Sequence, residues 1–260
     1  EDFLFSLDSD NNIFVLSDLH GDWRPALNFY KKNKHILSDN PKMNLMLILG
    51  DLGANYFLNE RDDKFKKRLS ELPFTYLCLR GNHEERPTLL PNFDKDYLIE
   101  TYCGGEVYWD CHYPNIMYMK DSGEVYTLDG KTFLTIPGAY SIDKDYRLAS
   151  GWSWFSEEQL NKNERAYILN NLKPHYDYIL THTCPHSWEP YISDLFFDGI
   201  NQSRVDKTTE DFLDTVVNST HYDYYLFGHY HDDRDIQAVK AHMIFHEGLV
   251  LKKGNEWQKI

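Results

Sequence analysis

The feature that most constrains the fold is a regular alternation of short apolar runs with amphipathic stretches. The runs Ile13–Leu16, Leu45–Leu49 and Phe74–Leu79 have the length and the apolar content of buried strands. Between them, Trp23–Asn33 and Glu60–Leu72 space their apolar residues as helices do and carry charges on one face. Strand, helix and strand in this order form βαβ units. This part of the chain therefore predicts a parallel sheet flanked by helices.

Further along, the apolar runs lie closer together. Asn115–Met119, Val125–Leu128 and Thr132–Ile136 follow one another with the turn signals Asp121-Ser-Gly123 and Asp129-Gly130 between them. This spacing leaves no room for helices between the strands. We expect antiparallel hairpins here, in a second sheet.

The sequence pattern of residues 156–217 predicts two helices and a strand. Ser156–Asn171 reads as a helix, with Ser156 as its N-cap and acidic residues in its first turn. Tyr176–Thr181 is expected to be a strand and Thr208–Val217 a helix. Pro185–Gln202 is rich in aromatic residues and turn formers without a clear period. We interpret it as a long loop near the functional site.

Charge and cysteine content narrow the class of protein. The chain has 27 Lys and Arg against 41 Asp and Glu, a formal charge of −14, which argues against duplex nucleic acid as a partner. Its four cysteines are too few for a disulfide framework, which favours a reducing cytoplasm. No apolar run reaches the length of about 18 residues that a membrane helix needs. We expect one domain over residues 1–260, cytoplasmic and without membrane contact.

Polar, metal-competent residues follow the apolar runs at five points, where open α/β sheets place their ligands. The five segments are Ser17-Asp-Leu-His-Gly21, Gly50-Asp-Leu-Gly53, Gly81-Asn-His-Glu84, the single residue His182, and Gly228-His-Tyr-His231. Each has a simpler explanation when taken alone, as a helix cap, a turn or a structural histidine. Their recurrence points instead to one shared site.

The residue types at these points favour a metal centre. Alternation in Asp18-x-His20 and in His229-x-His231 places both side chains of each pair on one side of an extended segment. Imidazole and carboxylate ligands without a required thiolate suit Mn, Fe or Zn better than a structural zinc site. We expect divalent or trivalent ions of these kinds, with Ni and Mg as alternatives.

In this order and spacing the five segments resemble the calcineurin-like metallophosphoesterases. The resemblance implies an α/β fold of two packed mixed β-sheets flanked by helices, in four αββα layers, with a dinuclear metal site at the strand ends. By the same resemblance, Asp18, His20 and His231 hold one metal, Asn82, His182 and His229 hold the other, and Asp51 bridges them.

This ligand set fits the hydrolysis of phosphate esters. Two cations roughly 3.5–4 Å apart can share a bridging water, lower its pKa and neutralise charge on the phosphoryl oxygens during in-line attack. The resemblance gives Asp51 and His83 the catalytic roles, with His83 directed at the leaving group. Asn82 and His83 are expected to contact substrate as well. Arg80 and Arg147 are further candidates, since arginine pairs with phosphate in a bidentate manner.

The substrate class stays open between several alternatives. Phosphomonoesters, small phosphodiesters and nucleotides all fit the ligand set, and a phosphoprotein is a further alternative. The Ser/Thr protein phosphatase branch usually continues its aspartate motif as Gly-Asp-x-x-Asp-Arg-Gly, whereas this chain has Gly50-Asp-Leu-Gly-Ala-Asn-Tyr56. A catalytically silent binding scaffold on the same fold is the alternative from another class.

Overall fold

The computed structural model describes residues 12–252 and 256–259. Its strands are β1 (Asn12–Leu16), β2 (Asn44–Leu49), β3 (Thr75–Leu79), β4 (Tyr97–Tyr102), β5 (Gly105–Asp110), β6 (Ile116–Met119), β7 (Glu124–Leu128), β8 (Lys131–Ile136), β9 (His175–Thr181), β10 (His221–Phe227), β11 (Arg234–Ile236), β12 (Ala241–Met243), β13 (Leu249–Lys252) and β14 (Glu256–Lys259). Its α-helices are α1 (Arg24–Asn33), α2 (Glu60–Ser70), α3 (Phe93–Asp96), α4 (Lys144–Ala149), α5 (Lys162–Asn170) and α6 (Thr208–Ser219).

The strands form two mixed sheets. One has the order β14-β13-β1-β2-β3-β6-β5-β4, and the other has the order β11-β12-β10-β9-β8-β7. Strands β1, β2, β3 and β6 are mutually parallel, as are β8, β9, β10 and β12, and antiparallel strands complete both sheets. The predicted parallel sheet of the first part of the chain is confirmed.

Three apolar clusters define the layers. The first joins side chains of both sheets, such as Val15 and Leu47 from one and Phe133 and Tyr178 from the other, and is the core between them. The second packs α1 and α2 against the outer face of the first sheet. The third packs α5 and α6 against the outer face of the second sheet. The predicted α/β fold of two mixed sheets flanked by helices is thereby confirmed.

Two expectations for the middle of the chain have different outcomes. The antiparallel hairpin of β7 and β8 is confirmed, and its turn residues Asp129 and Gly130 both have positive φ. The assignment of 115–119 to the second sheet is wrong, because β6 pairs in parallel with β3. All four β6 residues are buried, which fits a strand covered on both faces.

The helix predicted from Ser156 begins later, at Lys162. Asn161 is its N-cap and forms a capping box with Glu164, which satisfies backbone donors at the start of the helix. Glu158, which the prediction placed in the first turn, instead binds Ser141 through its carboxylate. The loop 185–202 contains only short 3-10 turns among its described residues. No described helix is both long and apolar enough to span a bilayer.

Candidate metal centre

The ends of β1, β2, β3, β9 and β10 meet at one edge, where the two sheets touch. Ser17, after β1, donates a hydrogen bond from its hydroxyl to the carbonyl of Leu49 at the end of β2. His182, after β9 in the other sheet, donates from Nδ1 to the same carbonyl at 2.7 Å. The backbone N–H of Gly228, after β10, donates to the carbonyl of His182. The five sequence segments are thus brought to one place.

The backbone at this edge is strained. Asp18, His20, Asp51, His229 and His231 all have positive φ, between 48° and 74°. They are five of the nine non-glycine residues with this conformation among the described parts of the chain. Such conformations cost free energy and persist where surrounding structure holds them, commonly at functional sites.

The first group of converging ligand atoms comes from Asp18, His20 and His231. The Nε2 atoms of His20 and His231 are 2.9 Å apart. Asp18 Oδ1 lies 3.4 Å from His231 Nε2 and 3.8 Å from His20 Nε2. This oxygen is buried and receives no hydrogen bond of normal geometry from the described residues. Ligand atoms about 2.1 Å from a common cation lie roughly 3–3.5 Å from one another, so the spacing fits a cation.

The second group comes from Asp51, Asn82 and His182. Asp51 Oδ2 is 3.4 Å from His182 Nε2 and also 3.8 Å from His20 Nε2, so this carboxylate lies between the two groups. The ring of His229 packs against that of His182, with centroids 5.0 Å apart. The His229 backbone N–H donates to Asp18 Oδ2 at 2.9 Å.

The contact between His182 and Asn82 indicates whether the residues of the second group can accommodate a cation. His182 uses its Nδ1–H on the Leu49 carbonyl, which leaves the Nε2 lone pair facing Asn82 Oδ1 at 3.0 Å. The Asn82 amide cannot turn its NH2 group inward without losing its donation to Ser141 Oγ. Two acceptors at this distance repel unless a proton or a cation joins them. The donor set therefore fits a metal ion.

Electrostatics favour positive charge at the same place. Although burial opposes it, the neighbouring histidines hold the pKa of Asp51 well below its usual range. Against the effect of burial, Asp51 and Asp18 raise the pKa of His182 to about 9. Burial, together with the adjacent His182, lowers the pKa of His229 to about 3. Buried anionic carboxylates thus attract a proton to His182, and a bound cation would take the place of that proton.

Glycines allow this close approach. A Cβ atom at Gly81 would lie 2.0 Å from Asp51 Oδ1 and 2.5 Å from the Asp51 backbone nitrogen. A Cβ atom at Gly228 would lie 2.0 Å from Ser17 Oγ and 2.6 Å from Asp18 Oδ2. At both positions any larger residue displaces a carboxylate of the centre.

His83 faces the open side of the centre. Its backbone N–H donates to Asp51 Oδ1 at 2.8 Å, so its position is tied to that carboxylate. Its ring lies edge-on to His20 with centroids 5.0 Å apart and stacks on Tyr56 at 6.0 Å. Its Nε2 is 3.8 Å from Asp143 Oδ2. Burial is the main cause that lowers the pKa of His83.

The two arginines expected to contact substrate lie in the interior. Arg80 pairs with Asp121 and donates to the carbonyls of Gly81 and Glu158. Arg147 is fully buried and donates to the Ser153 carbonyl and to Ser141 Oγ. Neither guanidinium lines a cavity beside the centre. Their hydrogen bonds support structural roles, and substrate contact by either arginine stays a prediction.

Sequence reasoning missed the residues that orient Asn82. Ser141 Oγ accepts from Asn82 Nδ2 and from Arg147 Nη1, each at 2.9 Å, and donates to the Glu158 carboxylate. Glu158 also accepts from Trp154 Nε1. This network turns the Asn82 oxygen toward His182. No short motif marks it, because Ser141 lies 59 residues from Asn82 in the chain and Glu158 lies farther still.

His246 is a second residue beside the centre that no sequence motif marks. The Phe245 ring stacks on His231 with centroids 5.0 Å apart, and His246 stacks on Phe245 at 3.6 Å. His246 Nε2 is within 3.3 Å of the Asp18 carbonyl, to which it can donate. The Asp233 carboxylate accepts from the backbone of 245–247 and holds this segment in place. The stack orients His231.

We expect Ser141→Ala to weaken Mn²⁺ binding about tenfold, since loss of a partner that orients a ligand typically costs 10–100-fold in affinity. The Asn82 amide would lose the acceptor that holds its oxygen toward the centre. Competition with a chelating dye measures the dissociation constant. Ser219→Ala removes an exposed hydroxyl on α6 and is the matched control. An unchanged Mn²⁺ affinity in Ser141→Ala would exclude the orienting role.

Comparison with known proteins defines the class. Residues 12–233 match the family model of the calcineurin-like phosphoesterases. The chain therefore belongs to this family of metal-dependent phosphoesterases. No curated protein matches it.

Solved structures share the fold. One superposes with a TM-score of 0.54 at 14% identity, covering 95% of this chain and 97% of the other. A second, TT1561 of Thermus thermophilus, has a TM-score of 0.50 at 13% identity and covers 96% of this chain and 97% of its own. At these identities the likeness concerns the fold alone.

Proposed function

We propose that this protein hydrolyses phosphate esters of small molecules or nucleotides with a pair of metal ions. The observation that carries the proposal is the position of Asp51, whose Oδ2 lies within 3.8 Å of His20 in one ligand group and 3.4 Å of His182 in the other. A carboxylate between two groups of imidazole and carboxylate ligands suits two neighbouring cations.

The ligands divide into two sets around Asp51. Asp18, His20 and His231 would hold one ion, and Asn82, His182 and His229 the other. Nitrogen and oxygen donors of this kind suit Mn, Fe or Zn. When bound, such ions polarise phosphoryl oxygens and make water a better nucleophile at neutral pH.

The residues around the ions would bind and orient the phosphate group. Asp51 and Asp18 hold negative charge on the inner side of the centre, so the phosphate must approach from the open side. His83 faces this side and has its ring fixed by Tyr56 and His20. There it can donate a proton to the departing oxygen of the ester, and Asn82 can contact the phosphate beside it.

Metal removal tests the proposal. The purified protein would be analysed by mass spectrometry for metal, treated with a chelator, and refilled separately with Mn²⁺, Zn²⁺ or Ni²⁺. We expect the apoprotein to be inactive on p-nitrophenyl phosphate and bis(p-nitrophenyl) phosphate, and at least one metal to restore turnover of one of them. A protein that binds fewer than two ions, or that turns over neither ester with any metal, would contradict the proposal.

His83→Ala separates acid catalysis from positioning. We expect alkyl phosphates to lose turnover by about 10²-fold or more, because general acid catalysis contributes on this scale when the leaving oxygen is basic. Nitrophenyl esters should lose much less, since nitrophenolate departs without a proton. His112→Ala, an exposed histidine paired with Asp96 away from the centre, is the control. Equal losses on both classes of ester would assign His83 to positioning alone.

A further inference from the structure

Two cavities open beside the metal centre. The first, of about 640 Å³, is lined by His20, His83, Tyr56, Phe57, Arg61 and Trp152, among others. The second, of about 510 Å³, has the metal centre as its floor and is also lined by His20 and His83. Each has the volume of a typical small-molecule site. A phosphate held at the centre therefore has access to both.

Side chains separate the two cavities at two levels. Next to the centre, the rings of His20 and His83 stand edge-on and face both spaces. At the outer rim, Tyr146 of the second cavity packs edge-on against Trp152 of the first, with ring centroids 5.6 Å apart. An organic group attached to the phosphate can enter one cavity or the other, and one group cannot fill both.

The first cavity is suited to a flat, polar group. Its walls include the rings of Tyr56, Phe57 and Trp152, and the Trp152 side chain, which is 56% exposed, offers a ring on which a planar group can stack. The Arg61 guanidinium lies over the Phe57 ring, 3.5 Å from the centroid. In this position its N–H edge stays open to hydrogen-bond acceptors in the cavity.

The second cavity is suited to an aliphatic group. The apolar part of its wall above the centre is formed by Ile142, Leu195, Phe196, Phe197, Ile200 and Val205, and the wall also includes the charged side chains of Asp143, Lys207 and Glu210. Phe197 is 70% exposed and Ile200 is 37% exposed, so these side chains have apolar surface left to cover. Burial of a hydrocarbon chain against them would stabilise binding.

We propose that the substrate is a phosphodiester with two unlike arms, a flat polar one in the first cavity and an aliphatic one in the second. The proposal rests on the hydrolase function proposed above. A monoester has one organic arm and leaves one cavity empty. In the reaction, the water oxygen bonds to phosphorus, one ester P–O bond breaks, and a proton from water passes to the departing alkoxide. Diester and water thus give a monoester and an alcohol.

A series of alkyl p-nitrophenyl phosphates tests this assignment. The nitrophenyl ring serves as the flat arm, and the alkyl group is methyl, butyl or octyl, with p-nitrophenyl phosphate as the monoester. We expect kcat/KM of the Mn²⁺-loaded protein to rise about tenfold or more from methyl to octyl, since each buried methylene adds favourable transfer free energy. The octyl diester should also be turned over faster than the monoester.

Variants locate the two arms. Phe197→Ser combined with Ile200→Ser should reduce the rise from methyl to octyl to about twofold, because the apolar wall is lost. Trp152→Ala should raise KM for all the diesters alike and leave the chain-length dependence in place. Leu89→Ser and Tyr167→Ala change residues of similar exposure outside both cavities and should keep wild-type behaviour.

The possible outcomes separate this inference from the function on which it rests. If the monoester is hydrolysed and every diester is hydrolysed more slowly, the assignment of a diester substrate is wrong, and the proposed hydrolase function still holds. A chain-length effect that survives in the Phe197 and Ile200 double variant would overturn the position of the aliphatic arm. Absence of hydrolysis of any ester with any metal would remove both proposals.

Discussion

Asp51→Asn is expected to lower kcat/KM by about a thousandfold or more, because it would remove the negative charge between the two proposed cations. Together these cations would stabilise the transition state by several kcal/mol. The neutral amide of asparagine cannot supply an anionic oxygen to the ion in each ligand group. Its oxygen can still accept from the His83 N–H, as Asp51 Oδ1 does, so the local backbone should keep its shape. The measurement is steady-state hydrolysis of bis(p-nitrophenyl) phosphate with added Mn²⁺, together with metal content.

The fold should survive this change. Asparagine has nearly the same volume, and the surrounding core is unaltered, so we expect the thermal unfolding midpoint of the metal-free protein to shift by only a few degrees. Asp223→Asn, which alters a half-exposed carboxylate paired with His175, is the matched control. Wild-type turnover in Asp51→Asn would show that this carboxylate does not lie between two catalytic ions.

Gly81→Ala is the second variant with a large expected effect. The added methyl group would meet Asp51 Oδ1 at 2.0 Å and the Asp51 backbone at 2.5 Å, and backbone cannot move aside as a flexible side chain can. We expect loss of at least one metal ion and a fall in turnover of about a hundredfold or more, since displacement of a reacting group by an ångström can cost this much. Metal analysis and hydrolysis of the same ester measure the two effects.

Gly130→Ala is the control for Gly81→Ala. Gly130 lies in the β7–β8 turn with a φ of 71°, and a Cβ there would meet nothing within 4 Å. Alanine at this position incurs the backbone cost of a positive φ, about 1 kcal/mol, without steric overlap. We therefore expect Gly130→Ala to be less stable yet fully active. If Gly81→Ala kept both metal and activity, the close packing of Gly81 against Asp51 would not be needed for function.

The parts of the fold that sequence predicts are those set by local pattern. β1, β2 and β3 are apolar runs of strand length, and each is followed by a polar residue of the centre, so both the strands and the end of the sheet could be inferred. The β7–β8 hairpin could be inferred equally well, because its Asp129-Gly130 turn is a local signal. These features depend on residues close together in the chain.

The parts that sequence did not predict depend on distant contacts. β6 is a short apolar run that could pair with strands of either sheet, and its choice of β3 is made by tertiary packing. Ser156 and Asn161 both offer a helix cap, and the capping box at Asn161 prevails because Glu158 is held by Ser141. Arg80 is a candidate for substrate contact from its position beside Gly81, and its pairing with Asp121, 41 residues away, could not be inferred from that position.

The contact between His20 and His231 joins positions 211 residues apart in the chain. A cation held by both, and by Asp18, would close most of the polypeptide into a ring, much as a disulfide does in an extracellular protein. The four cysteines are all free thiols, so they form no such covalent link. A molecule nicked by a protease in the exposed segment around Phe197 would be held together by the pairing of β10 with β9 and of β13 with β1, and a bound cation would add a further link between its two parts.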